Sequence, residues 1–178
     1  MVKEWIALAL QQGFHYAAAL NPAALVVKEE VRAMCAADKC RAYNRNWTCP
    51  PNCGSVEECR ERIAGMRTGL LVQTVGQLED PFDFETMAET EKVHLAHFHA
   101  LADLLRERRP GTLCLGSGGC RLCGSCAWPE PCRFPERACA SMEGYGLLVN
   151  EACAAAGVPY YHGKNTLAYT ACYLFPAE

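Results

Sequence analysis

The stretch CRLCGSC, residues 120–126, sets three thiols at x2, x2 spacing, and Cys132 follows shortly before Pro135. Thiolates are soft donors suited to zinc or to iron–sulfur clusters. A structural zinc site usually draws its four ligands from two C-x2-C pairs on separate segments, which three cysteines so close together suit poorly. The same spacing is that of bacterial ferredoxin loops, in which C-x2-C-x2-C wraps a [4Fe–4S] cube and a further cysteine stands next to proline. Here the last interval is x5 rather than x3, and Arg-Phe-Pro follows Cys132 where ferredoxins have proline directly. In two-cluster ferredoxins that fourth cysteine serves the other cluster. Cys120, Cys123 and Cys126 are therefore candidate ligands of one centre, and Cys132 is its candidate fourth.

A second cysteine-rich stretch, MCAADKCRAYNRNWTCPPNCG, carries Cys35, Cys40, Cys49 and Cys53 at intervals x4, x8 and x3. These match no zinc ribbon, but Cys49-Pro50 echoes the Cys-Pro of a ferredoxin motif, and four thiols suffice for a second cluster. Cys59 falls one turn inside a helix capped at Ser55 and is a candidate substitute, since the positive end of that helix favours a nearby anionic cluster. Lys39, Arg41 and Arg45 lie in this loop, and Arg121, Arg133 and Arg137 lie around the other. Cations there would offset the negative charge of a four-thiolate cluster, or else simply make a solvated basic surface. Gly116, Gly118, Gly119 and Gly124 let backbone N–H groups approach sulfur; the bland alternative is a turn that needs positive φ. Trp47 and Trp128 could exclude water or merely pack.

Other chemistries are excluded by spacing. The radical S-adenosylmethionine signature C-x3-C-x2-C fails because position 56 is Val, and GSGG lacks the Lys-Ser/Thr of a phosphate loop. His94 and His97 have i, i+3 spacing, but His94 shares a helical row with Phe98, Leu101 and Leu105, which reads as packing. Cys114 and Cys153 fall on apolar patterns as small core residues. Cys172, among the small residues of the last strand, is open between ligand, reactive thiol and core, and Cys139 is unassigned. Ser141 reads as a helix N-cap, and Glu143 is a carboxylate close to the second loop.

The chain has 178 residues, thirteen of them cysteine, a net charge of −3 and half its residues hydrophobic. Those figures predict a single globular domain over 1–178 with no polyanion to neutralise, hence no nucleic-acid partner. No apolar run is long enough for a membrane span and no export signal is visible. The expected location is therefore cytoplasmic, where thiols stay reduced and available to metal.

The elements that must position these loops follow from periodicity. Lys3 to Leu20 reads as a helix ending at Asn21-Pro22, and AALVV as a short strand. Ser55 and Glu58 form a capping box for a helix to about Arg67, stopped by Gly69. LLVQTVG reads as a strand, Asp80-Pro81 opens a long helix ending before Pro110, and TLCLG is a second buried strand. Ser141 caps a helix ending near Gly157, and TLAYTACYLF closes the series as a strand. This βαβ-like order predicts an α/β fold: a small, mainly parallel or mixed sheet with flanking helices and two cysteine loops, at about 35–59 and 114–139.

The strings MCAADKC, YNRNWTCPPNCG, EEC, LLVQTVG, CRLCGSC, PCRFPE, SMEGYGLLV and YTACYLF together resemble the DUF2284 family of predicted metal-binding proteins. The resemblance covers nearly the whole chain. It implies metal binding by the cysteine motifs, of iron–sulfur type, in anaerobe-type metabolism, and it places Cys53, Cys59 and Cys172 inside family strings. The expectation is thus a cytosolic protein with two [4Fe–4S] clusters that passes electrons to an unknown redox partner protein. The alternatives are an iron–sulfur enzyme or accessory factor with an open iron for a small substrate, and a zinc-stabilised interaction module.

Overall fold

The computed structural model describes residues 2–177. The chain runs α1 (Val2–Gln11), β1 (Tyr16–Leu20), α2 (Glu29–Ala36), α3 (Val56–Ala64), β2 (Met66–Gln77), α4 (Phe84–Arg108), β3 (Leu113–Leu115), α5 (Val149–Ala156) and β4 (Thr166–Pro176). Two 3-10 turns, Pro22–Ala24 and Glu143–Tyr145, stand between them.

Local signals explain most boundaries. Ser55 Oγ accepts from Glu58 N–H while the Glu58 carboxylate accepts from Ser55 N–H, the reciprocal pair that starts α3. That helix ends at Gly65, and Gly69 lies within β2 instead of stopping the helix. Asp83 caps α4 through Thr86 N–H, three residues later than Asp80-Pro81 suggested. The first helix is much shorter than the expected span to Leu20. Gly13 takes φ +105°, and a Cβ there would lie 2.7 Å from the His97 ring, so the chain reverses. Tyr16–Leu20 then pairs with Gly69–Gln73, tertiary pairing that overrides alanine's helical preference. AALVV forms no strand, because Asn21 Oδ1 captures Ala23 N–H and initiates a 3-10 turn. Ser141 Oγ accepts from Gly144 N–H and so caps a short turn, with α5 beginning only at Val149.

The sheet corrects the expected topology. Its order is β1-β2-β4-β3, and every neighbouring pair is antiparallel, so it is neither mainly parallel nor mixed. The α/β class itself fits, with helices on both faces. The reason lies in β4. Strands β2 and β3 each run antiparallel to it and hence parallel to each other, as a helical crossover through α4 requires. The last strand slots between them, so the βαβ unit is split and its two strands never touch.

Alternation along the central strands builds two cores. Leu71, Cys172 and Leu174 face α3 and α5 with Cys59, Ile63, Ala152 and Cys153. Leu70, Val72, Tyr173 and Phe175 face α1 and α4 with Trp5, Phe98, Leu101 and Leu105. The histidines of α4 belong to the second layer, as their row with Phe98 suggested. His94 is fully buried, its Nδ1 lies 2.9 Å from Thr74 Oγ1, and both it and His97 meet Phe14 edge-on. Burial, and secondarily the His97 charge, hold His94 down to about 4.

Candidate metal centre

The first cysteine loop hangs between α2 and α3, and Cys35 stands on the last turn of α2 rather than in the loop proper. Asp38 organises the turn that follows. Its carboxylate accepts from Tyr43 N–H at 2.9 Å and pairs with Arg45 at 2.6 Å. Asp38, Arg41 and Asn44 all adopt positive φ, the tight winding that spaces Cys35, Cys40 and Cys49 around one hollow.

The second loop leaves β3 at Gly116 and returns at Ser141. Its base is closed by Gly116 N–H to Ala140 O at 2.9 Å and Met142 N–H to Gly116 O at 3.1 Å. Arg133 donates to Ser125 O across the loop, and Arg137 fastens its exit to Asp103 on α4.

The two loops touch. Trp47 Nε1 donates to Glu130 O at 2.8 Å, and Cys120 N–H donates to Thr48 Oγ1 at 3.3 Å. Gly119 lies beside Cys49, whose sulfur would be in ordinary contact, at 3.6 Å, with a Cβ there. A cavity of about 450 Å³ lies between the loops, lined by Cys35, Cys40 and Cys49 of the first and Cys120, Cys123 and Cys126 of the second. Behind it a tight apolar pocket, walled by Leu122, Phe134 and Trp47, brings Cys132 to the same three thiols. Seven of the eight thiols singled out by spacing therefore open onto two adjoining hollows. Among the described residues, no three His, Cys, Asp or Glu side chains close on a point that would hold one metal ion.

The family model described as "Predicted metal-binding protein (DUF2284)" matches residues 18–175, nearly the whole chain. This chain belongs to the DUF2284 family. Thirteen cysteines, seven of them facing shared hollows, fit the metal binding that the family description states. No curated protein and no solved structure matches the chain.

The electrostatics of the DUF2284 site suit an occupant that carries positive charge. Burial, followed by the charges of Cys40, Cys53, Cys35 and Cys120, pushes the Cys49 thiol up to about 12. Burial likewise raises Cys35, reinforced by Cys40 and Glu143 and opposed by Arg32. Cys120 is raised by burial against the backbone N–H groups of Leu122 and Cys139. So many thiols in one hollow resist ionising together, and cations bound among them would supply the missing charge while displacing protons. The donor set thus fits a thiolate-bound metal group. Glu143 adds a carboxylate whose Oε2 is buried without a hydrogen-bond partner and lines the 450 Å³ cavity.

Cys53 is turned aside. Its thiol donates to Gly144 O at 3.4 Å and lies 3.7 Å from Arg32 Nη1, which also approaches Cys59 Sγ at 3.5 Å. Burial pushes Cys53 up to about 11, with Arg32 opposing. The same guanidinium donates to Gly144 O at 2.8 Å and Gly54 O at 2.7 Å, fastening the first loop to the 3-10 turn beyond the second. Cysteine spacing gives no signal for Arg32, although it stands one helical turn before Cys35 on α2. Four of the six cations in and around the two loops are engaged by other groups: Arg45 with Asp38, Arg121 with Glu91, Arg133 with Ser125 O and Arg137 with Asp103. Cys59 and Cys172 are fully buried in the α3–α5 core, Cys172 beside Cys153, and neither lines either hollow.

Proposed function

We propose that the DUF2284 chain is an iron–sulfur protein whose two loops hold two [4Fe–4S] clusters and relay single electrons to a partner protein. The observation that carries the reading is the pair of adjoining thiol-lined hollows. A single zinc bound at about 2.3 Å gathers its sulfurs to roughly 3.8 Å from one another, whereas these thiols surround a space. Cys120, Cys123, Cys126 and Cys132 would hold one cluster, and Cys35, Cys40, Cys49 and Cys53 the other, Cys53 turning from Gly144 O to join its set. When bound, such clusters supply reversible one-electron transfer.

The chain's own groups then set the conditions. Leu122, Phe134 and Trp47 give the second set an apolar wall, and solvent exposure with hydrogen bonds to sulfur is what tunes such potentials. Arg32 places a positive charge beside Cys53. The Trp47–Glu130 and Cys120–Thr48 bonds hold the two sets at a fixed separation. Iron and acid-labile sulfide analysis of anaerobically purified protein, followed by electron paramagnetic resonance before and after reduction, tests this. About eight irons per chain are expected; stoichiometric zinc without iron refutes it.

Glu143 favours a second reading, in which one iron lacks a thiolate and binds a small substrate. The unpartnered Oε2 faces the cavity, where it would accept from a substrate donor or hold a proton at that oxygen. Cys53, directed at Gly144 O, is the thiol whose withdrawal would open that position. Spectra that change when a candidate substrate is added support this reading, and unaltered spectra with fast reversible reduction support electron carriage.

A further inference from the structure

A further cavity of about 600 Å³ opens between the first loop, α3, the base of the second loop and β3. Its walls include the proposed ligands Cys53 and Cys132 and two thiols that the metal reading does not use. Cys114 sits on β3 just before the loop, and Cys139 sits just after it, so together they stand at its neck. They are 4% and 5% exposed, yet both line the cavity. The parallel bridge between Gly116 and Ser141 sets Cys114 opposite Cys139, and the two belong to one buried cluster. Arg106 of α4, which also lines the cavity, donates from Nη2 to Cys139 Sγ at 3.0 Å, while its buried Nη1 lies 3.7 Å from Asp103 Oδ1. As a neutral thiol, Cys139 has a competing acceptor in Arg137 O at 3.3 Å. A guanidinium on one sulfur of a close pair, beside an open cavity, is the environment in which a thiol acts as a nucleophile rather than as core packing.

We propose that Cys114 and Cys139 form a redox-active dithiol that reduces small-molecule disulfides entering this cavity. The Cys139 sulfur, which Arg106 holds at 3.0 Å, gives up its proton and attacks one sulfur of R–S–S–R. The Cys139–S–S–R bond forms, the original S–S bond breaks, and R–S⁻ leaves with the proton Cys139 gave up. Cys114 then attacks the Cys139 sulfur, the Cys114–Cys139 disulfide forms, and the second R–S⁻ departs with the Cys114 proton. Two electrons and two protons pass from the pair to the substrate, giving two thiols. The product disulfide cinches the loop that carries Cys120, Cys123, Cys126 and Cys132. The inference does not depend on which metal that loop binds.

The test uses full-length protein purified without air, its metal content measured, and 2-hydroxyethyl disulfide as the probe. Intact mass and tandem peptide mapping are expected to show the loss of two hydrogens, a Cys114–Cys139 link and two released thiols per chain. Cys114→Ser is expected to stop at the mixed disulfide on Cys139. Cys139→Ser is expected to slow thiol release at least about tenfold. Adducts confined to the metal-loop cysteines, with Cys114 and Cys139 still reduced, overturn the proposal, as does thiol release at the wild-type rate from Cys139→Ser. The wild-type map decides by itself should a serine variant fail to fold. Finding zinc instead of iron would defeat the proposed function and leave this result standing.

Discussion

Replacing Arg32 tests whether the two halves of the metal site are clamped by one side chain. Its guanidinium holds Gly144 O at 2.8 Å and Gly54 O at 2.7 Å, and touches the Cys53 and Cys59 sulfurs. Hydrogen bonds from a charged donor contribute roughly 1.5–3 kcal/mol each, so two amount to about 3–6. Arg32 is partly buried, and the remaining solvent contact screens the charge and favours the low end, about 3 kcal/mol. For a chain of this size that corresponds to a melting midpoint lower by roughly 6–12 °C in Arg32→Met. Arg32→Lys keeps the charge but loses the planar fork that reaches two carbonyls at once, and should recover less than half of the drop. Circular dichroism melts at matched metal content give the midpoint, because differing occupancy would itself move it. Alkylation mapped by mass spectrometry should show Cys53 labelled faster in Arg32→Met. A midpoint within about 2 °C of wild type would refute the clamp.

Three further outcomes follow from the same geometry. Serine at Cys120, Cys123 or Cys126 should remove about half the bound iron, whereas Ala at Cys153 should leave metal content unchanged; inductively coupled plasma analysis distinguishes them. Cys172→Ala should cost about 1–2 kcal/mol as a core cavity but retain the metal, so metal loss in a still-folded variant would make Cys172 a ligand after all. His94 is held near 4 when folded and returns to about 6.5 when unfolded. The unfolded state binds the extra proton, so this contribution is present above about pH 6.5 and is lost as pH falls toward 4. Melting midpoints against pH should fall less steeply over that window in His94→Gln.

The candidate site was legible in sequence because cysteine spacing is local. Three thiols in seven residues cannot be far apart, and the structure duly gathers Cys120, Cys123 and Cys126 at one pocket with Cys132. The capping box at Ser55 and Glu58 and the strands over LLVQTVG and TLAYTACYLF were readable for the same reason. What was not readable depends on long-range pairing. The alanines of Tyr16–Leu20 favour helix in isolation and become strand because β2 offers an unpaired edge. Antiparallel pairing of β4 between β2 and β3 follows from which strands meet in space, which element order leaves open. The same applies to Arg32 and Arg106, whose partners lie 112 and 33 residues away.

That strand order also bears on how the molecule is made. Thr166–Pro176 lies last among the elements yet occupies an interior position, bonded to β2 along one side and to β3 along the other. Both thiol-rich segments leave the ribosome before it does, so for that interval they hang from strands with no common neighbour. A nascent chain must shield twelve reduced sulfurs until this eleven-residue strand, which carries the thirteenth, arrives to lock the two flanks together. Cleavage or premature termination within that strand would unmake the scaffold without touching a single proposed ligand.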